Sequence, residues 1–180
     1  MTQPTLPQLT FRKAVAGEEV PIADMINTSY RGETSKLGWT TEADLLDGLR
    51  TNAEEIRRLI AADGSMILLC LDGAELIGSV HVERKQDHAY FGMFVVQPIL
   101  QGRGIGKQLL EMAEQTVLRE WGIGKFVMVV ISFRQELIAY YERRGYRRTG
   151  KHLPFPSNPK MWTPKVEGLR LELLEKVVRQ

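Results

Sequence analysis

The stretch VVQPILQGRGIGKQLLEMAEQ, from Val95 to Gln115, decides the class of fold that this chain adopts. An apolar, β-like run ends at Pro98, three glycines follow at alternate positions, and a long amphipathic pattern begins. In that pattern apolar residues recur at intervals of four from Ile105 to Trp121, which predicts a helix that Gly122 ends. The glycines therefore lie between a strand and the N-terminus of a helix.

A glycine-rich loop at a helix N-terminus presents several backbone N–H groups, and such a nest binds anions. Arg103 and Lys107 add positive charge. The spacing does not match a nucleotide-binding P-loop, because Gly106-Lys107 is followed by Gln108 instead of Ser or Thr. Nor does it match the Gly-x-Gly-x-x-Gly dinucleotide fingerprint, since Lys107 and Leu109 fill the last glycine position in the two registers. The loop is predicted to hold another kind of phosphate, with a purely structural turn as the alternative.

The run Gln101-Gly102-Arg103-Gly104-Ile105-Gly106 resembles the coenzyme A pyrophosphate loop of the GNAT superfamily of N-acetyltransferases. It follows Val96-Gln97-Pro98, as in that family, and a second family pattern, Tyr-x-x-x-Gly-aromatic, occurs from Tyr141 to Tyr146. The resemblance extends from Thr10 to about Val177. One departure is Arg134, which stands where many relatives have an asparagine that bonds the pantetheine arm or the tyrosine.

The resemblance implies a mixed α/β fold, in which a splayed central mixed β-sheet is flanked by helices, and acetyl-CoA as cofactor. It implies a bulge in the strand Ala89–Val96, beside which the pantetheine arm lies as an extra pseudo-strand. Backbone groups of Phe94 and Val96 would bind the pantetheine amides. The N–H of Val95 or Val96 would polarise the thioester carbonyl. Ser132 or Arg134 would replace part of the contact made by the missing asparagine.

Tyr141 occupies the family's acid position, so the resemblance implies that it protonates the departing thiolate. It shares a helical stripe with Leu137 and Ile138, and a purely structural aromatic is the alternative. Tyr140 is turned about 100° away on a helix and is expected to pack or to line a rim. No general base is identified. The candidates, each with the alternative of a surface residue or helix cap, are Glu33, Glu42, His88 and Tyr90.

The loop YRGETSKLGWTTE, from Tyr30 to Glu42, is expected to form the acceptor pocket, because variation there sets substrate choice in the family. Trp39 is either a wall of that pocket or a lid over the core. Tyr30, Arg31 and Glu42 are candidate polar contacts. The proline-rich segment His152–Trp162 is either a second rim or a dimer contact.

Periodicity predicts several further elements. We expect a strand at Thr10–Val15, helices at Glu18–Tyr30 and Ala53–Ala62, a hairpin turn at Asp72-Gly73 and a buried strand at Phe126–Ser132. The run Thr41-Glu-Ala-Asp is a capping box, which predicts a helix through Leu45 and Leu49. The segment GLRLELLEKVV alternates like a strand, although its composition also suits a helix.

The chain has 180 residues and is 43% hydrophobic, which predicts one domain over residues 1–180 with a loose leader at residues 1–9. A formal net charge of +2 gives no argument for a nucleic-acid partner. The lone cysteine, Cys70, allows no thiolate cluster and the three histidines lack metal-ligand spacing, so no metal is assigned. Without a signal peptide or a membrane-length apolar run, we expect a cytoplasmic protein.

These observations favour an acetyl-CoA-dependent N-acetyltransferase. It would transfer the acetyl group directly to the primary amine of a small molecule, within a ternary complex. Acetylation of a protein N-terminus or lysine is one alternative. A non-catalytic acyl-CoA-binding domain is another, and the presence of Tyr141 favours the enzyme over it.

Overall fold

The structure is a computed structural model, and it describes residues 8–179. Within that range the chain forms nine β-strands and four α-helices, with 3-10 helices at Glu33–Leu37 and Pro98–Leu100. The strands are β1 (Leu9–Lys13), β2 (Leu46–Gly48), β3 (Ser65–Asp72), β4 (Glu75–Arg84), β5 (Ala89–Val96), β6 (Lys125–Ile131), β7 (Arg147–Pro154), β8 (Trp162–Pro164) and β9 (Arg170–Val177). The helices are α1 (Glu19–Tyr30), α2 (Ala53–Ala61), α3 (Ile105–Trp121) and α4 (Gln135–Glu142).

Seven strands form one mixed sheet in the order β1-β3-β4-β5-β6-β9-β7. Neighbouring strands run antiparallel, except that β5 and β6 run parallel. Helix α3 connects these two strands, because a parallel pair needs a long crossover. Strands β2 and β8 pair antiparallel in a separate small sheet. The predicted mixed α/β fold is confirmed.

Helices cover both faces of the large sheet, and alternate residues of β3 contact the two sides. Leu68 and Cys70 belong to a buried cluster that includes Leu109 of α3. Ile67 and Leu69 belong to a second cluster, which includes residues of α1 and α2. A strand buried on both faces reads as a continuous apolar run, which explains the sequence SMILLCLD. Among residues 8–179, none of the helices combines the length and the apolar content needed to cross a lipid bilayer.

Strand β5 is irregular at its centre and diverges from β6 beyond its first two residues. Its pairing with β4 shifts register between Ser79 and His81, opposite Met93, whose φ of 47° lies in the left-handed region. Only Ala89 and Tyr90 pair with β6. The bulge and the splayed gap implied by the family resemblance are therefore both present, and backbone groups of β5 face a space that another strand does not fill.

Most of the predicted elements are found with small changes at their ends. The hairpin turns between Asp72 and Glu75, and the strand Ala89–Val96 has the predicted bounds. The segment GLRLELLEKVV forms strand β9 and not a helix. Residues 1–7 of the expected leader lie outside the described residues, but Leu9 pairs with Asp72 as the first residue of β1.

The helix predicted after Thr41 is wrong. Residues 42–45 lie mostly in turns, and the chain then forms the short strand β2. Thr41 Oγ1 accepts a hydrogen bond from the Ala43 amide at 3.0 Å, but the buried Glu42 binds two arginines and β2 pairs with β8. These tertiary contacts outweigh the local capping signal, whose energy is only about 1 kcal/mol.

Candidate active site

Two cavities lie along strand β5 and share four lining residues, which are Tyr30, Phe94, Arg134 and Leu137. The first has a volume of about 330 Å³ and includes Gly102, Gly104 and Gly106; we call it the glycine-loop cavity. The second has a volume of about 190 Å³ and includes Tyr141 and residues 128–131 of β6; we call it the Tyr141 cavity. The shared residues form the boundary between the two spaces.

The glycine-loop cavity is suited to an anion. Helix α3 begins beside it, and Gly104, with φ of 80°, provides no side-chain cap for the free N–H groups of the first turn. Gly102 is also left-handed, with φ of 79°, a conformation that glycine adopts without steric cost. Every charged residue that lines this cavity is cationic: Lys107, Arg134, Arg143 and Arg144.

Gly106 is the glycine that permits close approach. A Cβ atom at this position would lie 2.7 Å from the Tyr140 hydroxyl oxygen and 3.5 Å from the Phe94 ring. Tyr140 in turn stacks between Trp39, at 5.4 Å between ring centroids, and the guanidinium of Arg144, at 3.4 Å. The wall of the cavity is therefore an ordered aromatic stack against the first turn of α3. Tyr140 lines the cavity, as expected from its position on the helix.

The backbone of β5 faces the glycine-loop cavity at alternate residues. The Gln97 amide donates to the Ile77 carbonyl of β4. Because successive residues of a strand point their amides to opposite edges, the Val96 amide faces away from β4 and the Val95 amide faces it. Val96 O accepts a bond from Gln101 Nε2 at 3.1 Å, and Phe94 O accepts one from the Tyr30 hydroxyl at 3.3 Å. Of the two amides considered from the sequence, the geometry favours Val96.

Gln101 joins the loop from Tyr30 to Glu42, which we call the acceptor loop after its predicted role, to β5. Its Nε2 donates to Val96 O, while its Oε1 accepts from the Trp39 amide at 3.1 Å. A Cβ on Gly38 would collide with this side chain, which explains a glycine beside Trp39. Trp39 is 43% exposed and lines the glycine-loop cavity but not the Tyr141 cavity.

Tyr141 is buried in α4 and packs edge-on against Tyr140 and Tyr146, with centroid distances of 5.5 and 5.9 Å. The Phe94 ring lies 6.1 Å away. Within residues 8–179 the Tyr141 hydroxyl has no hydrogen-bond partner, although Tyr146 donates to Glu114 at 2.9 Å. Burial raises the pKa of Tyr141 well above its ordinary value, so the hydroxyl keeps its proton at neutral pH.

The Tyr141 cavity contains a buried chain of charges. Glu42 Oε2 binds Arg31 Nε at 3.2 Å, and Glu42 Oε1 binds Arg134 Nη1 at 3.1 Å. Arg31 also donates to the Leu49 carbonyl at 2.6 Å, and Arg134 donates to Thr40 Oγ1 at 2.7 Å. Arg134 thus holds the acceptor loop against α4, a role that the sequence did not indicate. Both oxygens of Glu42 are engaged, so this carboxylate is a poor candidate for a general base.

Two aromatic residues of the proline-rich segment line the Tyr141 cavity. Phe155 and Trp162 meet edge-on at 6.4 Å, and the Trp162 ring lies 5.7 Å below the guanidinium of Arg31. Strand β8 begins at Trp162 and pairs with β2, which anchors the segment beside the acceptor loop. The second rim expected at His152–Trp162 therefore lines this cavity.

Arg50 also lines the Tyr141 cavity, and sequence reasoning missed it. Its guanidinium stacks over the Tyr30 ring at 5.5 Å. Arg50 lies in a loop, in the run GLRTN, where a single arginine belongs to no motif and follows no periodicity. Only the tertiary contacts of this loop with α1, where Asn27 Oδ1 accepts from the Arg50 amide at 2.8 Å, bring it to the cavity.

Other residues predicted for the site take different places. Tyr90 lines the Tyr141 cavity as expected, and burial raises its pKa. Neither cavity is lined by the exposed Arg103 or the buried Ile105, or by three residues whose side chains bind elsewhere. Those three are Ser132, bonded to the Arg170 carbonyl, Glu33, paired with Lys36, and His88, paired with Asp87.

No metal-binding cluster and no thiol nucleophile belongs to this site. Among the described residues, three or more His, Cys, Asp or Glu side chains do not gather in a way that would hold a metal ion. Cys70 is buried in β3, and burial raises the pKa of its thiol to about 11.

A splayed mixed sheet, with a glycine loop and an uncapped helix N-terminus over a cationic cavity, defines a class of acyl-CoA-dependent transferases.

Solved structures of that class share the fold. The chain resembles the ribosomal-protein-S18-alanine N-acetyltransferase from Escherichia coli, with a TM-score of 0.70 and 12% identity over 96% of each chain. It also resembles a GNAT family acetyltransferase from Elizabethkingia anophelis with acetyl-CoA bound, with a TM-score of 0.65 and 18% identity over 94% of this chain and 98% of that one. For the spermidine N-acetyltransferase from Vibrio cholerae in complex with CoA and spermine, the TM-score is 0.67 and the identity 17%, over 94% and 95% of the two chains.

The family model described as Acetyltransferase (GNAT) domain matches residues 44–155, which is more than half of the chain. A search of curated protein sequences gives no significant match. The chain belongs to the GNAT acetyltransferase family, it is an acyltransferase, and its cofactor is acetyl-CoA. The cationic lining of the glycine-loop cavity and the space kept free by Gly106 fit the phosphates and the narrow arm of that cofactor.

Proposed function

We propose that this enzyme transfers the acetyl group of acetyl-CoA directly to the amine of a small molecule, within a ternary complex. The observation that carries the proposal is the pair of cavities that meet at Tyr30, Phe94, Arg134 and Leu137. One cavity has the charge and shape for the cofactor, and the other is small and lined by a buried tyrosine. A thioester at the boundary would meet both cavities, so no covalent acyl-enzyme is required.

In this proposal the glycine loop and the first turn of α3 hold the pyrophosphate. Backbone N–H groups of Gly102 to Lys107 donate to the phosphate oxygens, and the positive end of the helix dipole adds to the attraction. Lys107, Arg143 and Arg144 supply charge around the cavity. The Phe94 amide and the second lone pair of the Val96 carbonyl bind the pantetheine amides across the gap left by the splay between β5 and β6. Gln101 orients this edge by holding Val96 O.

Val96 and Tyr141 have separate roles in the reaction. The Val96 amide donates to the thioester carbonyl oxygen and stabilises the negative charge that develops there as the amine nitrogen attacks the carbonyl carbon. As the carbon–sulfur bond breaks, the Tyr141 hydroxyl donates its proton to the thiolate. The raised pKa of Tyr141 supports this role, because the proton is present on the hydroxyl before the reaction. The proton lost by the amine passes to water, and Tyr141 regains a proton from water before the next turnover.

The charge of the Tyr141 cavity compensates for the lack of a general base. Among the described residues that line it, Glu42 is the one carboxylate, and both of its oxygens bind arginines. Positive charges nearby disfavour an ammonium group, so they lower the pKa of an amine that enters the cavity. The acceptor amine then binds as the free base, and a water molecule suffices to carry its proton away.

Acetylation of a protein N-terminus or lysine is the weaker alternative. The Tyr141 cavity has a volume of about 190 Å³, below the usual range of roughly 300–1,000 Å³ for drug-sized ligands. Phe155, Pro156 and Trp162 line one side of it. A peptide chain needs a longer groove, so the small volume of the cavity supports a small acceptor.

A screen of amines tests the proposed function. The purified protein is incubated with acetyl-CoA and a library of primary amines, amino acids, polyamines and short peptides, and release of free CoA thiol is followed. We expect release that depends on a small amine and yields the N-acetylated amine by mass spectrometry. Release with peptides only, or no release with any acceptor while acetyl-CoA binds, would contradict the proposal.

A further inference from the structure

We propose that the acceptor carries an anionic group, a carboxylate or a phosphate ester, which binds the guanidinium of Arg50 in the Tyr141 cavity. The inference rests on the proposed function and names the class of its acceptor. An amino acid or a phosphoamine of small size belongs to this class. A polyamine, such as the spermine bound in the Vibrio cholerae structure, does not.

The first argument is the net charge of the cavity. Its charged lining residues are Arg31, Arg50, Arg134 and Glu42, which give a formal net charge of +2. The carboxylate of Glu42 lies between Arg31 and Arg134, and neither of its oxygens is free for a ligand. An ammonium group at the far end of an acceptor would therefore meet excess positive charge and no free carboxylate. An anionic group would be attracted.

The second argument is that Arg50 lacks an anionic partner. Within residues 8–179 its guanidinium makes no hydrogen bond and no ion pair, and its one specific contact is the Tyr30 ring at 5.5 Å. The side chain is half-buried, so its charge is only partly solvated. A guanidinium presents its N–H donors in a planar fork that matches carboxylate and phosphate oxygens. The Tyr30 ring contacts this guanidinium on one side, and the N–H groups of Arg50 have no acceptor among residues 8–179.

The third argument comes from Arg134, which lines both cavities. It is buried, and its Nε atom has no hydrogen-bond partner within the described part of the chain, although its two other nitrogens bind Glu42 and Thr40. A buried donor without an acceptor is costly, and a bound ligand or water removes the cost. The lining of the Tyr141 cavity thus includes two arginines with donors that no acceptor among residues 8–179 satisfies.

Neither the cofactor nor a nearby acid satisfies Arg50. Arg50 does not line the glycine-loop cavity, which is lined by Lys107, Arg143 and Arg144 and is proposed to hold the phosphates of the cofactor. On the neighbouring strand β4, Glu83 is paired with Lys85 at 2.6 Å. The anion that Arg50 accommodates is therefore a part of the acceptor.

Matched acceptors test the inference through turnover. Glycine is compared with glycinamide, β-alanine with its amide, and O-phosphoethanolamine with ethanolamine, and spermidine is included. We expect kcat/KM for the anionic member to exceed that of its neutral partner by about tenfold to a hundredfold, as for a charged hydrogen-bonded pair. The preferred pair identifies the anion as carboxylate or phosphate. In Arg50→Met the ratio of kcat/KM for the anionic acceptor to kcat/KM for its neutral partner is expected to fall at least about tenfold. Because this ratio is compared between wild type and variant, differences in the intrinsic reactivity of the amines cancel.

Arg84→Met is the matched control. Arg84 also stacks on an aromatic ring, that of Trp121 at 5.9 Å, but it lines neither cavity. We expect its acceptor ratio to equal that of the wild type. A ratio unchanged by Arg50→Met, or a wild-type preference for spermidine, would overturn the inference and leave the proposed function in place.

A binding measurement separates the two proposals. N-acetylglycine and the uncharged N-acetylglycinamide are titrated by NMR into wild type and Arg50→Met, each saturated with CoA. Tighter binding of the acid by wild type alone supports the anion site, whereas equal binding of acid and amide overturns it. If no amine is acetylated in the turnover assay, the proposed function fails, and this titration still decides whether the cavity binds an anion.

Discussion

The ring and the hydroxyl of Tyr141 have different environments in the fold. Its ring is buried among Tyr140, Tyr146 and Phe94 and contributes to the core. The residue lines the Tyr141 cavity, and its hydroxyl has no hydrogen-bond partner among the described residues. A hydroxyl that contributes little to packing but keeps its proton is available for chemistry. The core role and the acid role, which the sequence left as alternatives, are compatible.

Tyr141→Phe tests this division. We expect kcat to fall about a hundredfold, in the range for loss of a general acid, while the Kd of acetyl-CoA changes less than about threefold. Because the hydroxyl makes no hydrogen bond within the described residues, the melting temperature should change little. Tyr146→Phe is the control, since its hydroxyl bonds Glu114, and it should lower stability more than turnover. Unchanged kcat in Tyr141→Phe would leave Tyr141 as a core residue.

The pH dependence follows from the same residue. Burial raises the pKa of Tyr141 well above its usual value, so the acid form persists as the pH rises through the neutral range. The acceptor amine loses its proton over this range and becomes nucleophilic. A profile of kcat/KM should therefore rise from about pH 6 to a plateau, without a descending limb below about pH 10. A descending limb between about pH 7 and 9 would indicate an acid with a lower pKa.

At the scale of elements, the junction from β5 to α3 organises the cofactor side of the site. The bulge at Met93 redirects the strand, and the first turn of α3 begins at Ile105 with its N–H groups free. Gln101 ties this junction to the acceptor loop through Val96 and Trp39. One side chain thus holds the cofactor edge and the acceptor loop in register.

Gly106→Ala tests whether the close approach at this junction serves binding. Alanine favours a helix by up to about 1 kcal/mol over glycine, so the melting temperature should not fall much. The added Cβ would lie 2.7 Å from the Tyr140 hydroxyl and would push that ring toward the cofactor space. We expect the Kd of acetyl-CoA, measured by calorimetry, to rise about tenfold.

Gly73→Ala is the matched control for that substitution. Gly73 has φ of 59° in the distal hairpin, and no atom lies within 4 Å of a Cβ placed there. The strained backbone should cost about 1 kcal/mol of stability without any change in acetyl-CoA affinity. If Gly106→Ala behaves like Gly73→Ala, the glycine at 106 has a structural role only.

At the scale of the whole molecule, the cofactor should stabilise the fold, because the surface proposed to bind it combines β5, α3 and α4 and exists only in the folded chain. Acetyl-CoA at 100 times its Kd should stabilise the protein by about 2.7 kcal/mol. For a domain of this size that corresponds to a rise in melting temperature of roughly 5–11 °C. NAD has a pyrophosphate but no pantetheine and serves as the control, with no shift expected. Equal shifts from both ligands would argue for a site that recognises phosphate alone.

The sequence by itself determined the features that depend on neighbouring residues. An apolar run predicts strand β5, and a period near four predicts helix α3. The loop between them has left-handed backbone angles at positions 102 and 104, which favour the glycines found there. The family and the cofactor were predictable for the same reason, since the loop is a local motif. The helix expected at Thr41 failed because its segment is held by distant partners, β8 and two arginines.

Only the tertiary structure decided the lining of the Tyr141 cavity. Arg50, Glu42, Arg134 and Trp162 come from four separate segments, and no local pattern relates them. Their meeting depends on the pairing of β2 with β8 and on the packing of the acceptor loop against α4. Backbone geometry at a helix start can be encoded within six residues, whereas the charge of a cavity is a sum over side chains that the chain brings together only when it folds.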